Sequence, residues 1–430
     1  MKRNIIKVLM LASAVMIAST GCSDQTSEGS GTSSAQDAEA KKIVLAGSTD
    51  QKINEGGRYI LSGSLSDAKL VIDTDQEVYL QLDGVTINNS KGPAVQVENA
   101  KQLTVSANEG TKNELSDGGT DEMNAAFFSN DTVIFEGKGE LRINGNNEHG
   151  VESDDDIIIN GSDIIINAVN DALHATDNIT INGGNVTVEK SEEGIESKND
   201  IIVNGGNVKV NANDDAMNAS NDITISGGEV YAVSAKGDAI DSNGTIHITG
   251  GTVTAIGADM PEASIDCDGN NLIITGGTII GAAGSTSMPT SESSTQPSVI
   301  LAGAAKGETI SISDESGELM TFTADKSFST LIFSSPEISQ GEKLTVTVAG
   351  KERETVTVSA MVTNQGGSAG MGGKGGFGGA GGKGTRPEGD RPLLPDGTQP
   401  PSPDGAEPAG DPPAGAPAEG APAQTAPDAQ

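Results

Sequence analysis

The stretch that decides the fold runs over residues 171–211 and reads DALHATDNITINGGNVTVEKSEEGIESKNDIIVNGGNVKVN. It contains one unit twice, and each unit has three short bursts in which apolar and polar residues alternate. Alternation with a period of two is typical of β-strands. The apolar positions of the first unit are Leu173, Ile179, Ile181, Val186 and Val188. The stretch therefore predicts three short strands per unit.

The same unit recurs on both sides of this stretch. Its leading apolar residue is spaced by 22, 22, 22, 23 and 25 residues at Val151, Leu173, Ile195, Met217, Ile240 and Ile265. Paired glycines precede the third strand and allow tight corners. Three such strands cannot close a sheet within one unit, but successive units can stack strand on strand. The sequence therefore predicts a right-handed parallel β-helix over residues 42–284, with about eleven coils.

An antiparallel arrangement of hairpins is the alternative for these strands. It would need a two-residue turn of Asn-Gly type between every pair of strands, and it gives no reason for a fixed three-strand period. The stacked arrangement explains both the glycine pairs and the spacing.

The chain outside the repeat divides into four further segments. Residues 1–21 place Lys2, Arg3 and Lys7 ahead of a short apolar run, which is typical of an export signal. Residues 22–41 are polar and indicate a flexible tether. Residues 285–365 alternate as ordinary β-strands and predict a small cap over the last coil, whose open end would otherwise expose unpaired backbone groups. Residues 366–430 are rich in Gly and Pro and predict a disordered tail.

Cys22 ends the sequence Ser19-Thr20-Gly21-Cys22, which resembles the lipobox of bacterial lipoproteins. It predicts a lipid on Cys22 and an extracytoplasmic protein anchored at the surface of the bacterial cell membrane. Ordinary signal cleavage that leaves Cys22 free is the alternative. With Cys22 lipidated, Cys267 has no disulfide partner and should be a buried free thiol.

The composition limits the possible partners. The formal charge of −35 disfavours nucleic acid, whose phosphates would be repelled, and favours cations. There are 57 Gly, 7 Phe, 3 Tyr and no Trp, so small and β-branched residues must fill the interior.

Acidic residues recur at two positions of the repeat, two residues before and one residue after the leading apolar position. Stacking would place copies about 5 Å apart along the helix. Between them runs a column of small residues, which we expect to leave a groove between the acidic rows. Like charges stacked in this way destabilise a sheet unless a cation compensates. The predicted metal ligands are Glu152, Asp171, Glu193, Glu196, Asp214, Asp215, Asp238, Asp241 and Asp266.

Carboxylate, amide and carbonyl oxygens suit Ca²⁺ better than Zn²⁺ or Cu²⁺, so calcium is the predicted cofactor. His149 and His174, which occupy two positions of these columns, are not predicted to be ligands. The alternative is a solvated acidic face that only keeps the protein soluble.

The unit DAMNASNDITISGG from Asp215, with Lys326-Ser327-Phe328 and Phe333-Ser334-Ser335-Pro336 downstream, resembles a known family. It is the family of calcium-binding β-helix carbohydrate-binding domain-containing proteins, with clostridial members that bind cellulose and pectin. The resemblance covers roughly residues 42–361. It implies a lipoprotein or secreted β-helix with structural calcium that binds cellulose or an acidic plant polysaccharide, and an architecture similar to that of pectate lyases.

A chain with no Trp and 3 Tyr cannot build a long aromatic platform for cellulose. The favoured function is therefore calcium-dependent binding of an acidic polysaccharide such as pectin or polygalacturonate. A calcium-dependent polysaccharide lyase is one alternative, with Lys190, Lys198 or Lys236 as the base. A surface scaffold or adhesin that presents the tail is another. No catalytic residue is assigned.

Overall fold

The computed structural model describes residues 35–119, 123–268 and 271–370. Apart from a 3₁₀ turn at Ala35–Asp37, its regular structure is β. The described residues contain no helix with the length and apolarity needed to cross a membrane. The predicted signal segment, Cys22 and most of the Gly- and Pro-rich tail lie outside the described residues.

The strands of the coils are, in chain order, β1 (Lys41–Leu45), β2 (Gln51–Ile53), β3 (Gly57–Ser66), β4 (Leu70–Asp73), β5 (Glu77–Asn88), β6 (Val95–Asn99), β7 (Gln102–Ala107), β8 (Lys112–Ser116), β9 (Ala125–Ser129), β10 (Val133–Gly137), β11 (Glu140–Gly145), β12 (His149–Ser153), β13 (Ile157–Ala168), β14 (Leu173–Ala175), β15 (Ile179–Lys190), β16 (Ile195–Ser197), β17 (Ile201–Val203), β18 (Asn207–Ala212), β19 (Met217–Ala219), β20 (Ile223–Ile225), β21 (Glu229–Ser234), β22 (Asp241–Ser242), β23 (Ile246–Ile248), β24 (Thr252–Ile256), β25 (Asp266–Cys267), β26 (Leu272–Ile274) and β27 (Thr278–Ala283). They are followed by β28 (Thr286–Ser287), β29 (Ser298–Ala304), β30 (Thr309–Ser313), β31 (Glu318–Thr323), β32 (Phe328–Ser334), β33 (Lys343–Val348), β34 (Lys351–Thr357), β35 (Val362–Gln365) and β36 (Ala369–Gly370).

Each typical coil contributes one strand to each of three parallel faces. The first face is the ten-stranded sheet β2-β4-β6-β9-β12-β14-β16-β19-β22-β25. The second face runs from β1 to β26 and the third from β3 to β27, and the long strands β3, β5, β13 and β15 belong to both. The predicted parallel β-helix is confirmed, with ten strands in its first face where the sequence predicted about eleven coils.

The repeat sets the register of the first face. Val151 pairs with Leu173, Leu173 with Ile195, and Ile195 with Met217. The leading apolar residues all lie in the core, each 0% exposed: Val151, Leu173, Ile195, Met217, Ile240 and Ile265. Because side chains alternate along a strand, the residue after each of them points outward.

The glycine pairs form the corner between the second and third faces. The second glycine of each pair has a positive φ, for example +88° at Gly206. A Cβ placed on Gly206 would lie 2.7 Å from the carbonyl oxygen of Gly184 in the preceding coil. Conformation and stacking therefore both require glycine at this corner.

The C-terminal residues cover the last coil, as predicted. Strand β32 pairs antiparallel with β27 of that coil and with β29. An antiparallel sheet, β31-β30-β33-β34, packs its own apolar core beside them. The cap extends past the predicted limit at residue 365, because β36 pairs with β28.

Cys267 lies inside the last coils as a free thiol, as predicted. It is 1% exposed, and burial raises its pKa to about 11. It therefore remains a neutral thiol at neutral pH.

Candidate metal centre

One outward-facing residue from each strand of the first face forms a continuous row, here called the outer row. Glu152 pairs with His174, and the row continues strand by strand through Glu196, Asn218, Asp241 and Asp266. Phe128 precedes Glu152 in the same register. From Glu152 onward the outer row thus holds four acids, one histidine and one asparagine on six successive coils.

A second row, the corner row, lies at the turns that enter these strands. Its members are His149, Asp171, Glu193, Asp215 and Asp238. Two of its carboxylates accept backbone hydrogen bonds from the next coil: the N–H of Asp238 donates to Oδ1 of Asp215 at 2.7 Å, and the N–H of Ala263 donates to Oδ1 of Asp238. The carboxylates are fixed where the turns place them.

The small residues between the two rows do not open a groove, and this expectation was wrong. They are buried: Ala172, Ala216 and Ala239 are each 0% exposed. A Cβ on Gly194 would lie 2.2 Å from Cγ1 of Val210. The column is small because it packs against the core, and the two acidic rows come together above it.

Asp238, Asp241 and Asp266 form the first acidic group, here called the Asp238 group. One carboxylate oxygen from each lies within 4.8 Å of the others. Burial and the neighbouring carboxylates raise the pKa of Asp238 to about 9 and that of Asp241 to about 7. Burial also raises the pKa of Asp215, beside this group, to about 6. The site therefore resists carrying several negative charges without a compensating cation.

Asp171, Glu193 and Glu196 form the second group, here called the Glu193 group, with the same spacing limit of 4.8 Å. Burial, followed by the charges of Glu196 and Asp171, raises the pKa of Glu193 to about 8. The side-chain amide of Asn218 donates to Oε2 of Glu193 at 3.2 Å. This group combines three carboxylates from two coils, and the side-chain amide of a third coil donates to one of them.

His149 and His174 lie on either side of Asp171. Nδ1 of His174 is 2.6 Å from Oδ2 of Asp171 and 3.1 Å from Oε2 of Glu196. Burial opposes the charge on His174, but hydrogen bonds to Asp171 and Glu196 outweigh it and raise its pKa to about 9. Burial likewise acts against the charge on Asp171, yet bonds to both histidines hold its pKa below the usual range.

Glu152, Asp214 and Asp215 lie beside these groups and are not members of them. Oε2 of Glu152 is buried and has no hydrogen-bond partner within the described chain, and burial raises the pKa of Glu152. A Cβ on Gly237 would lie 2.4 Å from Oδ1 of both Asp214 and Asp215. The glycine therefore leaves the space that these two carboxylates occupy.

The sequence reasoning missed Glu262 and set the histidines aside. The pKa of Glu262 is raised by burial and by Asp214 and Asp266, so it belongs to the same acidic surface. It could have been found, because it stands three residues before Ile265, at the repeat position that Glu148, Glu192 and Asp214 occupy in other coils. The histidines could have been found, because they occupy the columns of the acids.

The donors fit a hard cation. Carboxylates from successive coils offer oxygen ligands of the kind that Ca²⁺ takes, six to eight at a time. Of the predicted lyase bases, Lys198 forms an ion pair with Glu196, and its side chain is 47% exposed. Because a lysine that only neutralises a surface acid would form the same ion pair, the pair does not identify Lys198 as a catalytic base.

Three comparisons show what known proteins this chain is similar to. A family model described as carbohydrate-binding domain-containing protein matches residues 47–200 and 189–331. A carbohydrate-binding domain-containing protein of Acetivibrio thermocellus is 29% identical over 188 residues, and the match covers 38% of this chain but only 66% of that protein. A solved gadolinium derivative of a polysaccharide lyase-like protein from C. thermocellum is 25% identical, with a TM-score of 0.46, over 48% of this chain and 96% of its own. Because the family model spans more than half of the chain, the protein belongs to the carbohydrate-binding domain-containing protein family.

Proposed function

We propose that the protein binds an acidic polysaccharide through Ca²⁺ held by the Asp238 and Glu193 groups. Carbohydrate binding itself is the function that family membership supports. Binding of calcium is supported by one observation: the three carboxyl groups of the Asp238 group lie together without a positively charged partner in the described chain. In the described part of the chain, no ion pair includes Asp238, Asp241 or Asp266.

Charge explains why the polymer should be acidic. A uronate chain would be repelled by bare carboxylates, but a cation with open coordination positions would attract the carboxylates of the sugar. Asp238, Asp241 and Asp266 would hold such an ion from one side, with Asp215 and Glu262 adjacent. Binding would then require both the ion and the sugar carboxylate.

The accessible aromatic rings argue against a flat cellulose platform. Tyr59 and Tyr79 are 5% and 8% exposed, whereas Tyr231 is 37% exposed on the third face. Phe128 is partly exposed at one end of the outer row. Among the described residues, two such rings on different faces of the β-helix cannot form one surface for a neutral glucan chain.

The proposed location is the cell surface. A lipid on Cys22 would be the only contact with the membrane, and residues 23–41 would place the β-helix away from the bilayer. The formal charge of −35 argues against nucleic acid as a partner. Labelling of the expressed protein with a radioactive fatty acid, with a Cys22→Ser variant as control, would test the anchor.

The test of function is retention of the purified protein on polygalacturonate and on cellulose, with Ca²⁺ and with a chelator. We expect retention on polygalacturonate that needs Ca²⁺ and weak retention on cellulose. Retention that ignores the chelator would contradict the calcium step. Ultraviolet absorbance of unsaturated product is followed in parallel, and its accumulation would favour a lyase over a binding protein.

A further inference from the structure

Three potential metal ligands from neighbouring coils converge at one end of the acidic rows. Nδ1 of His149 is 3.1 Å and Nδ1 of His174 is 2.6 Å from the same atom, Oδ2 of Asp171. The ligand atoms of the three residues all lie within 4.8 Å of one another. His149 and Asp171 are 6% and 1% exposed, so the turns and the packing hold both in place.

The two imidazoles cannot both be satisfied as cations. Their ring centroids are 4.8 Å apart, so two imidazolium ions would repel each other across the shared carboxylate. The backbone N–H of Asp171 also points at Nδ1 of His149 from 3.4 Å, so this nitrogen lies against both an N–H and the Asp171 carboxylate. In the neutral tautomer that leaves Nδ1 unprotonated, this nitrogen presents a lone pair beside a carboxylate oxygen, and a metal ion can bind such a pair of atoms.

We propose that His149, Asp171 and His174 form a binding site for a borderline transition-metal ion such as Zn²⁺. Two imidazole nitrogens and a carboxylate are ligands that Zn²⁺ prefers and Ca²⁺ does not. Around a tetrahedral Zn²⁺ neighbouring ligand atoms lie about 3.3 Å apart, so the atoms need to move by less than about 1 Å. Glu196, whose Oε2 is 3.1 Å from Nδ1 of His174, is within reach as a fourth ligand.

The surroundings favour a divalent ion at this position. Glu148 lies on the outer side of His149, with Oε2 3.9 Å from Nε2, where a carboxylate can orient a metal-bound imidazole. Carboxylates of Glu148, Asp171 and Glu196 surround the two imidazoles, and a divalent ion would balance their negative charge. Zn²⁺ binds imidazole in its neutral form. Binding should therefore release protons.

This site goes beyond the proposed function, although it shares Asp171 and Glu196 with the Glu193 group, where Zn²⁺ bound by the two imidazoles would compete with Ca²⁺. The Asp238 group has no nitrogen ligand and would remain a site for Ca²⁺. The helix would thus hold two kinds of cation at different coils. A failure to bind Zn²⁺ would leave the calcium and polysaccharide tests unaffected.

The test is titration of the untagged full chain with Zn²⁺ alone, and again with excess Ca²⁺ present to fill the Asp238 group, which shares no residue with the zinc site. We expect one Zn²⁺ per chain in both titrations, and a heat of binding that varies with the buffer because protons are released. His149→Gln and His174→Asn should each weaken binding at least about tenfold. His174→Asn places in the outer row the residue type already present at Asn218.

His247→Asn is the matched control, because His247 is the remaining histidine of the chain and faces Thr275 on the second face. It should leave Zn²⁺ binding unchanged. The visible spectrum of bound Co²⁺ gives a second readout, which either variant of the cluster should abolish. Displacement of Zn²⁺ by excess Ca²⁺, or equal binding by the cluster variants and the wild type, would overturn the proposal.

Discussion

At the scale of single residues, Asp238 shows how stacking of the coils changes the pKa of an acidic side chain. It is buried beside Asp215, Asp241 and Asp266, and its pKa is raised to about 9. An unpaired acid in an ordinary solvated turn would titrate near pH 4. Burial and the charges of the neighbouring carboxylates cause this rise in pKa. A bound cation would offset both effects.

The first prediction concerns pH in the absence of metal. An acid whose pKa is raised on folding stabilises the folded state fully below its unfolded pKa, and this contribution is lost as pH rises through the folded pKa. For Asp215, Asp238 and Asp241 that window runs from about pH 4 to about pH 9. The melting temperature in chelator should therefore fall across this window.

Added Ca²⁺ provides the control for this pH series. It should raise the melting temperature most at the alkaline end, where the carboxylates are charged and bind the ion best. A melting temperature in chelator that stays constant between these pH values would contradict the raised pKa values of these carboxyl groups.

At the scale of the structural element, the corner between the second and third faces tests why the repeat needs glycine. Gly161 and Gly206 both have a φ of +88°. A Cβ on Gly161 would meet nothing within 4 Å, whereas one on Gly206 would lie 2.7 Å from a carbonyl oxygen. The two positions therefore separate conformation from stacking.

Gly161→Ala should lower the free energy of unfolding by about 1–2 kcal/mol, which is the cost of a left-handed conformation for alanine. Gly206→Ala should cost clearly more, because the coils must also move apart. Chemical denaturation of both variants with the same buffer and metal content measures the difference. Equal losses would mean that stacking does not constrain this corner.

The cap is the other element with a testable role. Strand β32 covers β27, the outermost strand of the third face in the last coil. Deletion of residues 298–370 should expose that edge and cause association through strand pairing. Size-exclusion chromatography with light scattering should show oligomers for the deletion and a single species for the intact chain. A folded monomer without the cap would contradict this role.

At the scale of the whole molecule, the repeat predicted the architecture because one unit occurs many times. The apolar columns predict which residues pair between coils, and Val151 does pair with Leu173. The glycine pairs predict tight corners, and Gly206 has the positive φ of such a corner. The number of coils is harder to predict, because the first units depart from the 22-residue spacing. The cap was recognisable as β-structure, but its pairing with β27 was not.

The candidate site could be predicted only in part. The columns place Asp241 beside Asp266, as the structure does. They do not show that Ala172 and its copies pack into the core, because the sequence does not reveal how closely the third face approaches. The convergence of His149 and His174 on Asp171 depends on the turn that precedes β14, and spacing alone does not determine it.

The central claim is that the acidic rows hold calcium for binding an acidic polymer. The most direct measurement is isothermal titration of the protein with oligogalacturonate at fixed Ca²⁺, comparing the wild type with Asp238→Asn/Asp241→Asn. Asp75→Asn/Glu109→Gln removes the same charge from exposed positions and is the control. The account predicts that the affinity falls at least about tenfold for the first variant and not for the control. Equal affinity for the wild type and both variants would contradict it.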